Sequence, residues 1–273
     1  MFKKKIDFSF YTSIRIGNIH TLNFIESPQD YDYLLQNNTH LNLIGKANNL
    51  LIAPNAQNLT TLSKNFDYIK DLGDCLEVGA ATPSGKVFSY AKQHNICGFE
   101  ILSKLPGSIG GIIKMNAGLK HYEIKDVLEG VLMLDSQAKL GFKSVESLGL
   151  TYRNSAISGL IFAGIFKKKI GFNASLVETF TKMRANQPRE PSFGSCFKNP
   201  KGNFAGALIE NAGLKGIKFG KNKSLMFSTM HANFLVNLGG SSFDEALNLI
   251  QLAKEKVYTQ SKILLEEEVR IIQ

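Results

Sequence analysis

Between Pro191 and Pro200 the chain reads Pro-Ser-Phe-Gly-Ser-Cys-Phe-Lys-Asn-Pro, which places a hydroxyl (Ser195), a thiol (Cys196), an ammonium (Lys198) and an amide (Asn199) side by side. Proline fixes φ and removes a ladder donor, so two prolines fence off a segment that is poor helix and poor interior strand. The spacing predicts a rigid loop that presents polar groups, with Ser195 as the residue able to do chemistry. No Gly-x-Ser-x-Gly elbow surrounds the serine, so the residues alone leave a plain surface turn open as the other reading.

Two glycine-dense stretches suit anion binding. Gly45-Lys46-Ala47-Asn48-Asn49 lies between the apolar runs Leu41–Ile44 and Leu50–Ala53, and strand, tight turn, strand is a way to aim several backbone N–H groups at one anion. The second stretch runs from Leu102 to Gly118. Pro106-Gly107-Ser108 reads as a turn with an N-cap, followed by a helix carrying Gly110 and Gly111 in its first turn. Glycine there costs about 1 kcal/mol relative to alanine. It makes sense where a helix N-terminus must come close to a bulky anion, and equally where a helix packs closely on a sheet.

The elements that must position these residues can be read from periodicity. Phe10–Gly17 alternates like a strand, and Ser27-Pro28-Gln29-Asp30 starts a helix through Leu35. Tyr68–Ala81 reads as two strands turning at Gly73-Asp74, then a helix with Val87, Tyr90, Ala91 and His94 on one face; His94 is a boundary residue. A hairpin over Asp126–Leu134 and Gly141–Val145 precedes the apolar strand Leu160–Phe166, and Lys167–Lys169 marks a domain boundary. Beyond the proline-fenced loop come a short helix Phe204–Ala212 and a buried strand Phe234–Asn237. Ser242-x-x-Glu245 is a capping box for a helix whose apolar face is Phe243, Ala246, Leu247, Ile250, Ala253 and Val257. Leu265–Ile272 closes the chain as a strand with Glu266, Glu268 and Arg270 on one face.

Composition bounds the function. With 44% hydrophobic and 20% charged residues and no apolar run near the ~20 residues that span a bilayer, the chain reads as a soluble cytoplasmic protein without membrane insertion. Cys75, Cys97 and Cys196 are scattered, as are the five histidines, so neither a disulfide framework nor a metal site is expected. The net charge of +9 is concentrated: between Lys167 and Lys223 twelve Lys or Arg face three acids. These cations are broken up by glycines and apolar residues, which favours a phosphorylated small molecule over nucleic acid.

Taken together, Thr-Ser-Ile-Arg-Ile-Gly, Leu-Pro-Gly-Ser-Ile-Gly-Gly with Met-Asn-Ala-Gly, Tyr-Arg-Asn-Ser, Gly-Ser-Cys-Phe-Lys-Asn-Pro and Leu-Glu-Glu-Glu-Val-Arg make the chain resemble the UDP-N-acetylenolpyruvoylglucosamine reductase (MurB) family, from about Thr12 to Ile272. The resemblance implies an α+β fold: a PCMH-type FAD-binding domain over residues 1–168, in two lobes divided near 55–60, and an α+β substrate-binding domain over 169–273. The strand 265–272 would return to the active site. The short interval between Ile170 and Pro191 fits the shorter, type II form of the family. The implied chemistry is reduction of non-covalently bound FAD by NADPH, then of the enolpyruvyl group of a UDP-sugar to give UDP-N-acetylmuramate for peptidoglycan, by a monomer.

On the matching positions, Arg153 holds the substrate carboxylate, Ser195 donates the proton and Glu268 assists at the enolate. FAD is expected at Gly45, Lys46, Ala47, Asn48, Asn49, Pro106, Gly107, Ser108, Gly110, Gly111 and Asn116, and the substrate at Lys198, Asn199 and His231. The chain departs from the family at the first turn, where Gly-Gly-Gly-Ser-Asn is usual and Gly45-Lys46-Ala47-Asn48-Asn49 stands here. Two readings compete with a reductase: a related FAD oxidase, though the FAD loops hold no His or Cys for covalent attachment, and an inactive nucleotide-binding relic.

Overall fold

A computed structural model describes residues 1–37, 40–135 and 139–273. The chain forms two compact units, each with its own core. Unit 1 comprises residues 1–4, 22–46 and 58–185; unit 2 comprises 5–21, 47–57 and 186–273.

Among the described residues, unit 1 contains a five-stranded antiparallel sheet in the order Leu140–Ser144, Leu128–Asp135, Gly159–Lys167, Cys75–Gly79, Ile69–Asp71. Both the expected hairpin and the expected strand pair at Gly73-Asp74 are in it. A second sheet places Leu59–Leu62 between Ile19–Ile25 and Asn42–Leu43, with parallel pairing on both sides, and Phe2–Asp7 at its edge. The helix Ser84–Gln93 buries Val87 and Ala91, and His94 is its exposed C-cap. Leu76, Val78, Phe99, Ile113, Val131, Phe166 and Phe180 form the main core.

Unit 2 is built on the 19-residue helix Phe243–Ser261, whose capping box forms as expected, Ser242 Oγ accepting from Glu245 N and Glu245 accepting from Ser242 N. Its buried face is Phe243, Ala246, Leu249, Ile250, Ala253 and Val257, so Leu249 stands where Leu247 was expected and Leu247 lies at the margin. That face packs on Ile14, Leu51, Phe193, Phe197, Phe227 and Leu235. A three-stranded sheet runs Ser192–Ser195, Phe234–Asn237, Leu225–Phe227.

Three expectations are corrected. Phe10–Gly17 is not a strand. Asp7 caps a helical turn Phe8–Tyr11 by accepting from Ser9 N at 2.9 Å, Thr12 Oγ1 donates back to Phe8 O at 2.8 Å, and Arg15 takes φ +57°. The alternation arose because Ile14 and Ile16 are both buried in a turn, and Phe10 is exposed. The proline-fenced loop begins as an edge strand, Ser192–Ser195, with an irregular register against Phe234–Asn237. Leu265–Ile272 is a strand only at Arg270–Ile272, paired in parallel with Leu50–Ile52. The residues before it bond instead to 196–198, and a segment that changes partners cannot keep one ladder.

The Lys167–Lys169 boundary falls inside unit 1, because residues 169–185 are stitched to it. Cys97 N donates to Lys169 O at 2.8 Å, Gly171 N to Asn95 O at 2.7 Å, and the helix Ala174–Met183 buries Phe180. The strongest stitch is Glu100, 1% exposed, whose two carboxylate oxygens accept from Gly98 N at 2.6 Å and Asn173 N at 2.7 Å. Among the described residues no helix is long and apolar enough to cross a membrane. Glu100→Ala leaves two part-buried N–H donors, of Gly98 and Asn173, without their carboxylate and removes charge-assisted bonds that together contribute about 3 kcal/mol. The expected outcome is a melting temperature lower by roughly 6–12 °C, with Glu100→Gln falling less, and circular dichroism melts check it.

Candidate functional site

In unit 2 the fold grips the Ser195 segment through its neighbours. Phe193, Cys196 and Phe197 are buried in the core, while Ser195 and Lys198 remain partly exposed between and beside them. Burying one such phenylalanine is worth about 1.5–3 kcal/mol. Full burial drives the Cys196 thiol pKa well above its usual range, aided by Glu267 and Glu268, so it is an anchor and not a nucleophile. Asn233, 3% exposed, clamps Phe197 like a strand partner: its Oδ1 accepts from Phe197 N at 3.0 Å and its Nδ2 donates to Phe197 O at 2.8 Å. Its own carbonyl accepts from Cys196 N at 2.7 Å.

Glu268 lies on the chain that runs beside this segment. Cys196 O accepts from Glu268 N at 2.8 Å, and Lys198 N donates to Glu266 O at 2.8 Å. Asn49 fastens the same residue from the other direction, its Nδ2 donating to Glu268 O at 2.8 Å. Ser195 and Glu268 are thus brought together through the backbone of Cys196. Lys198 Nζ pairs with Glu266 Oε1 at 2.5 Å, and Asn199 Oδ1 accepts from Ala205 N at the start of the helix Ala205–Asn211, so part of Asn199's hydrogen bonding is spent on a cap. His231 Nδ1 accepts from Asn233 N at 3.2 Å, and its ring meets Phe234 edge-on. Burial lowers its pKa, as it does that of His20.

In unit 1, Arg153 sits at φ +54° in a tight turn closed by Thr151 and Asn154, with N···O distances of 3.0 and 3.2 Å. Such a backbone is uncommon for a residue other than glycine and is held by its surroundings. The guanidinium donates to Gly118 O at 2.5 Å and reaches Asn116 O at 3.5 Å. Asn116, fully buried at φ +41°, donates from Nδ2 to Glu123 Oε2 at 2.9 Å and to Thr151 O at 3.0 Å. Its Oδ1 is buried without a hydrogen-bond partner among the described residues.

The glycine stretches divide between packing and approach. Gly110 is a packing glycine: a Cβ there would lie 2.9 Å from Ala80 Cβ, and the N–H groups of Ile109 and Gly110 are taken by Thr82 O and Ala80 O. A Cβ on Gly111 would meet only Ser108 Oγ, at 3.6 Å. Gly45 closes on the second stretch, since a Cβ there would come within 2.7 Å of Ser108 Oγ. Ser108 makes no cap hydrogen bond with its side chain. Leu41–Ile44 and Leu50–Ala53 are not hairpin partners: Asn42–Leu43 pairs with Leu59–Leu62, and Leu50–Ile52 with Arg270–Ile272. The turn between them holds Ala47 buried at φ +51° and Lys46 exposed, with Ser13 donating from N to Ala47 O and from Oγ to Asn48 O. Gly45 and Gly111 both open onto the Ser108 hydroxyl, which caps nothing, so a cofactor such as FAD could approach the backbone there.

Over residues 187–272 the chain matches the family model described as UDP-N-acetylenolpyruvoylglucosamine reductase, C-terminal domain. It is 48% identical over 268 residues to the UDP-N-acetylenolpyruvoylglucosamine reductase of Helicobacter hepaticus, covering 98% of both chains, and 44% identical to that of Helicobacter pylori, covering 100% of both. This chain belongs to the UDP-N-acetylenolpyruvoylglucosamine reductase family. The crystal structure of the Thermus caldophilus reductase (MurB) superposes over 100% of both chains with a TM-score of 0.85 at 28% identity. The α+β architecture is therefore the one the resemblance implied, a PCMH-type FAD-binding fold with an α+β substrate domain. The C-terminal family match begins one residue inside the last segment of unit 2, which starts at Asn186.

Asn233 and Glu123 escaped sequence reasoning. A buried asparagine just ahead of a strand and a glutamate in a two-residue strand carry no periodic signal that separates them from ordinary surface residues. His20 and His231 both belong to unit 2, and both have folded pKa values lowered below the ordinary 6.5. The unfolded chain therefore binds protons first as pH falls. Stability is intact above about 6.5 and declines as the pH drops from there toward the folded values. Urea midpoints measured at about pH 7.5 and 5.5 should differ less in His231→Gln than in the wild type.

Proposed function

We propose that this protein is a FAD- and NADPH-dependent UDP-N-acetylmuramate dehydrogenase of peptidoglycan synthesis, working as a cytoplasmic monomer. The observation that carries this reading is the full-length 48% identity to a reductase of that name, with Arg153, Ser195 and Glu268 at the family's motif positions. Residues 45–49, Pro106–Ser108 and Gly111 would hold the cofactor, while the Asn116 amide is engaged with Glu123 and Thr151. The FAD held there would supply the hydride chemistry that links NADPH to the terminal carbon of the enolpyruvyl group.

The remaining work falls to the protein. Negative charge develops on the carbon next to the carboxylate, and a planar guanidinium matches that delocalised anion, so Arg153 binds the carboxylate and stabilises the charge. Its left-handed turn and its bond to Gly118 O fix the guanidinium before substrate arrives, which removes an ordering cost from the reaction. Ser195 donates the proton to the carbon. A serine hydroxyl is a weak acid, so the nearby cation of Lys198 assists it. Glu268 stabilises the enolate through a hydrogen bond. Lys198, Asn199 and His231 bind the sugar nucleotide, with Lys198 contributing the cation that the diphosphate needs.

The purified protein should be yellow, with flavin released on denaturation; a colourless protein that takes up no added FAD would remove the cofactor assignment and favour the relic. Ser195→Ala removes the donor with little change in volume. Reduction of the flavin by NADPH should keep its rate, while reoxidation by the enolpyruvyl sugar nucleotide should slow by about 10²- to 10⁴-fold in stopped-flow absorbance. Slowing of both halves together would make Ser195 a binding or structural residue instead.

A further inference from the structure

Resting on that functional reading, we propose that Glu123 is a positioning residue for Arg153, acting through the Asn116 amide. The chain of contacts lies within unit 1. Glu123 Oε2 accepts from Asn116 Nδ2 at 2.9 Å, and the same nitrogen donates to Thr151 O at 3.0 Å, the carbonyl at the base of the turn that carries Arg153. Arg153 donates back across the gap to Gly118 O and Asn116 O. The flanking residues continue the seam: Ser155 Oγ donates to Lys114 O at 2.7 Å, and Lys114 Nζ to Ile157 O at 2.6 Å.

The carboxylate joins Thr151 O in deciding which way the amide faces. Thr151 O and Glu123 Oε2 are both acceptors, so Asn116 must present its nitrogen to them, and turning the amide over would set Oδ1 against two acceptors. The orientation adopted leaves Oδ1 buried and unpaired, a cost that the amide would avoid if nothing held it. Glu123 itself is held: its N–H donates to Asp126 Oδ2 at 2.9 Å, Lys125 Nζ sits 2.8 Å from Oε2, and its side chain is 11% exposed. Gly118 pairs with Glu123 across a two-residue ladder, so the carbonyl that receives the guanidinium and the carboxylate that orients the amide belong to one rigid corner. Without Glu123 the amide is held by one acceptor instead of two, its bond to Thr151 O loosens to leave only that from Asn154 N at 3.2 Å, and the turn at φ +54° loses part of the contact that offsets its strain.

The test uses the flavoprotein and five variants, one of them a double. Glu123→Ala should leave flavin reduction by NADPH unchanged and slow reoxidation by the enolpyruvyl sugar nucleotide on the order of 10²-fold, the loss that a displacement of about 1 Å produces. Glu123→Gln, which keeps an acceptor for Asn116, should recover most of that rate. Lys125→Ala, which breaks only the ion pair, should behave as wild type. In an Arg153→Ala background, Glu123→Ala should have no further effect, since the residue it positions is gone. Independently of turnover, hydrogen exchange at Thr151 and Asn154 should accelerate in Glu123→Ala and not in Lys125→Ala. Equal losses with and without Arg153, a loss shared by both half-reactions, or unchanged exchange in the 151–154 turn would each overturn the proposal. Wild-type protein that fails to reduce the sugar nucleotide at all would instead overturn the functional reading on which it rests.

Discussion

Irregular backbone must still find partners for its N–H and C=O groups once it is buried, and in this protein asparagine side chains supply them. A primary amide carries a donor and an acceptor on one planar group, as a peptide does, so it can stand in for a neighbouring strand where no strand fits. Asn233 does this for Phe197, Asn49 caps the carbonyl of Glu268, and Asn116 bridges Glu123 to Thr151. Arg153 and Glu268 are thus carried on non-repetitive chain held by an amide, and Ser195 ends an edge strand next to the segment that Asn233 clamps. Asn237 extends the device, donating to both Ile14 O and Arg15 O where the N-terminal segment turns at positive φ.

The same constraint explains what was legible in the sequence. Long segments with one buried face stand where periodicity puts them: Ser84–Gln93, Phe243–Ser261, and the hairpin Leu128–Asp135 with Leu140–Ser144. A hydrophobic stripe has one way to be buried, so the pattern and the element agree. Short segments with alternating residues misled. Ile14 and Ile16 are spaced like a strand yet are buried from a turn, and Leu265–Val269 lacks a ladder because it binds the carbonyls and amides of 196–198 before joining Leu50–Ile52. Partner choice is a tertiary fact that alternation does not encode.

The candidate site was legible only as motifs. Arg153, Ser195 and Glu268 came from matching short strings, and nothing in their spacing alone distinguishes them from solvated residues. Glycines in the same motifs turned out to serve different ends. Gly110 permits a helix to lie on Ala80, whereas Gly45 permits two loops to meet at Ser108. Only the position where a Cβ would fall separates these uses. The replacement of Gly-Gly-Gly-Ser-Asn by Gly45-Lys46-Ala47-Asn48-Asn49 is tolerated at Ala47 because the left-handed conformation there is braced by Ser13 rather than left to intrinsic preference.

The parallel pairing of Arg270–Ile272 with Leu50–Ile52 also constrains how the protein comes to be made. Partners more than 200 residues apart in the chain must meet to complete unit 2, whose pieces come from residues 5–21, 47–57 and 186–273. During synthesis the early pieces emerge long before the last, so they wait with apolar residues such as Ile14 and Leu51 uncovered while unit 1 can already close around its own core. Vectorial synthesis therefore gives the two units different histories: one can fold as it emerges, and the other waits for the late strand that follows Glu268.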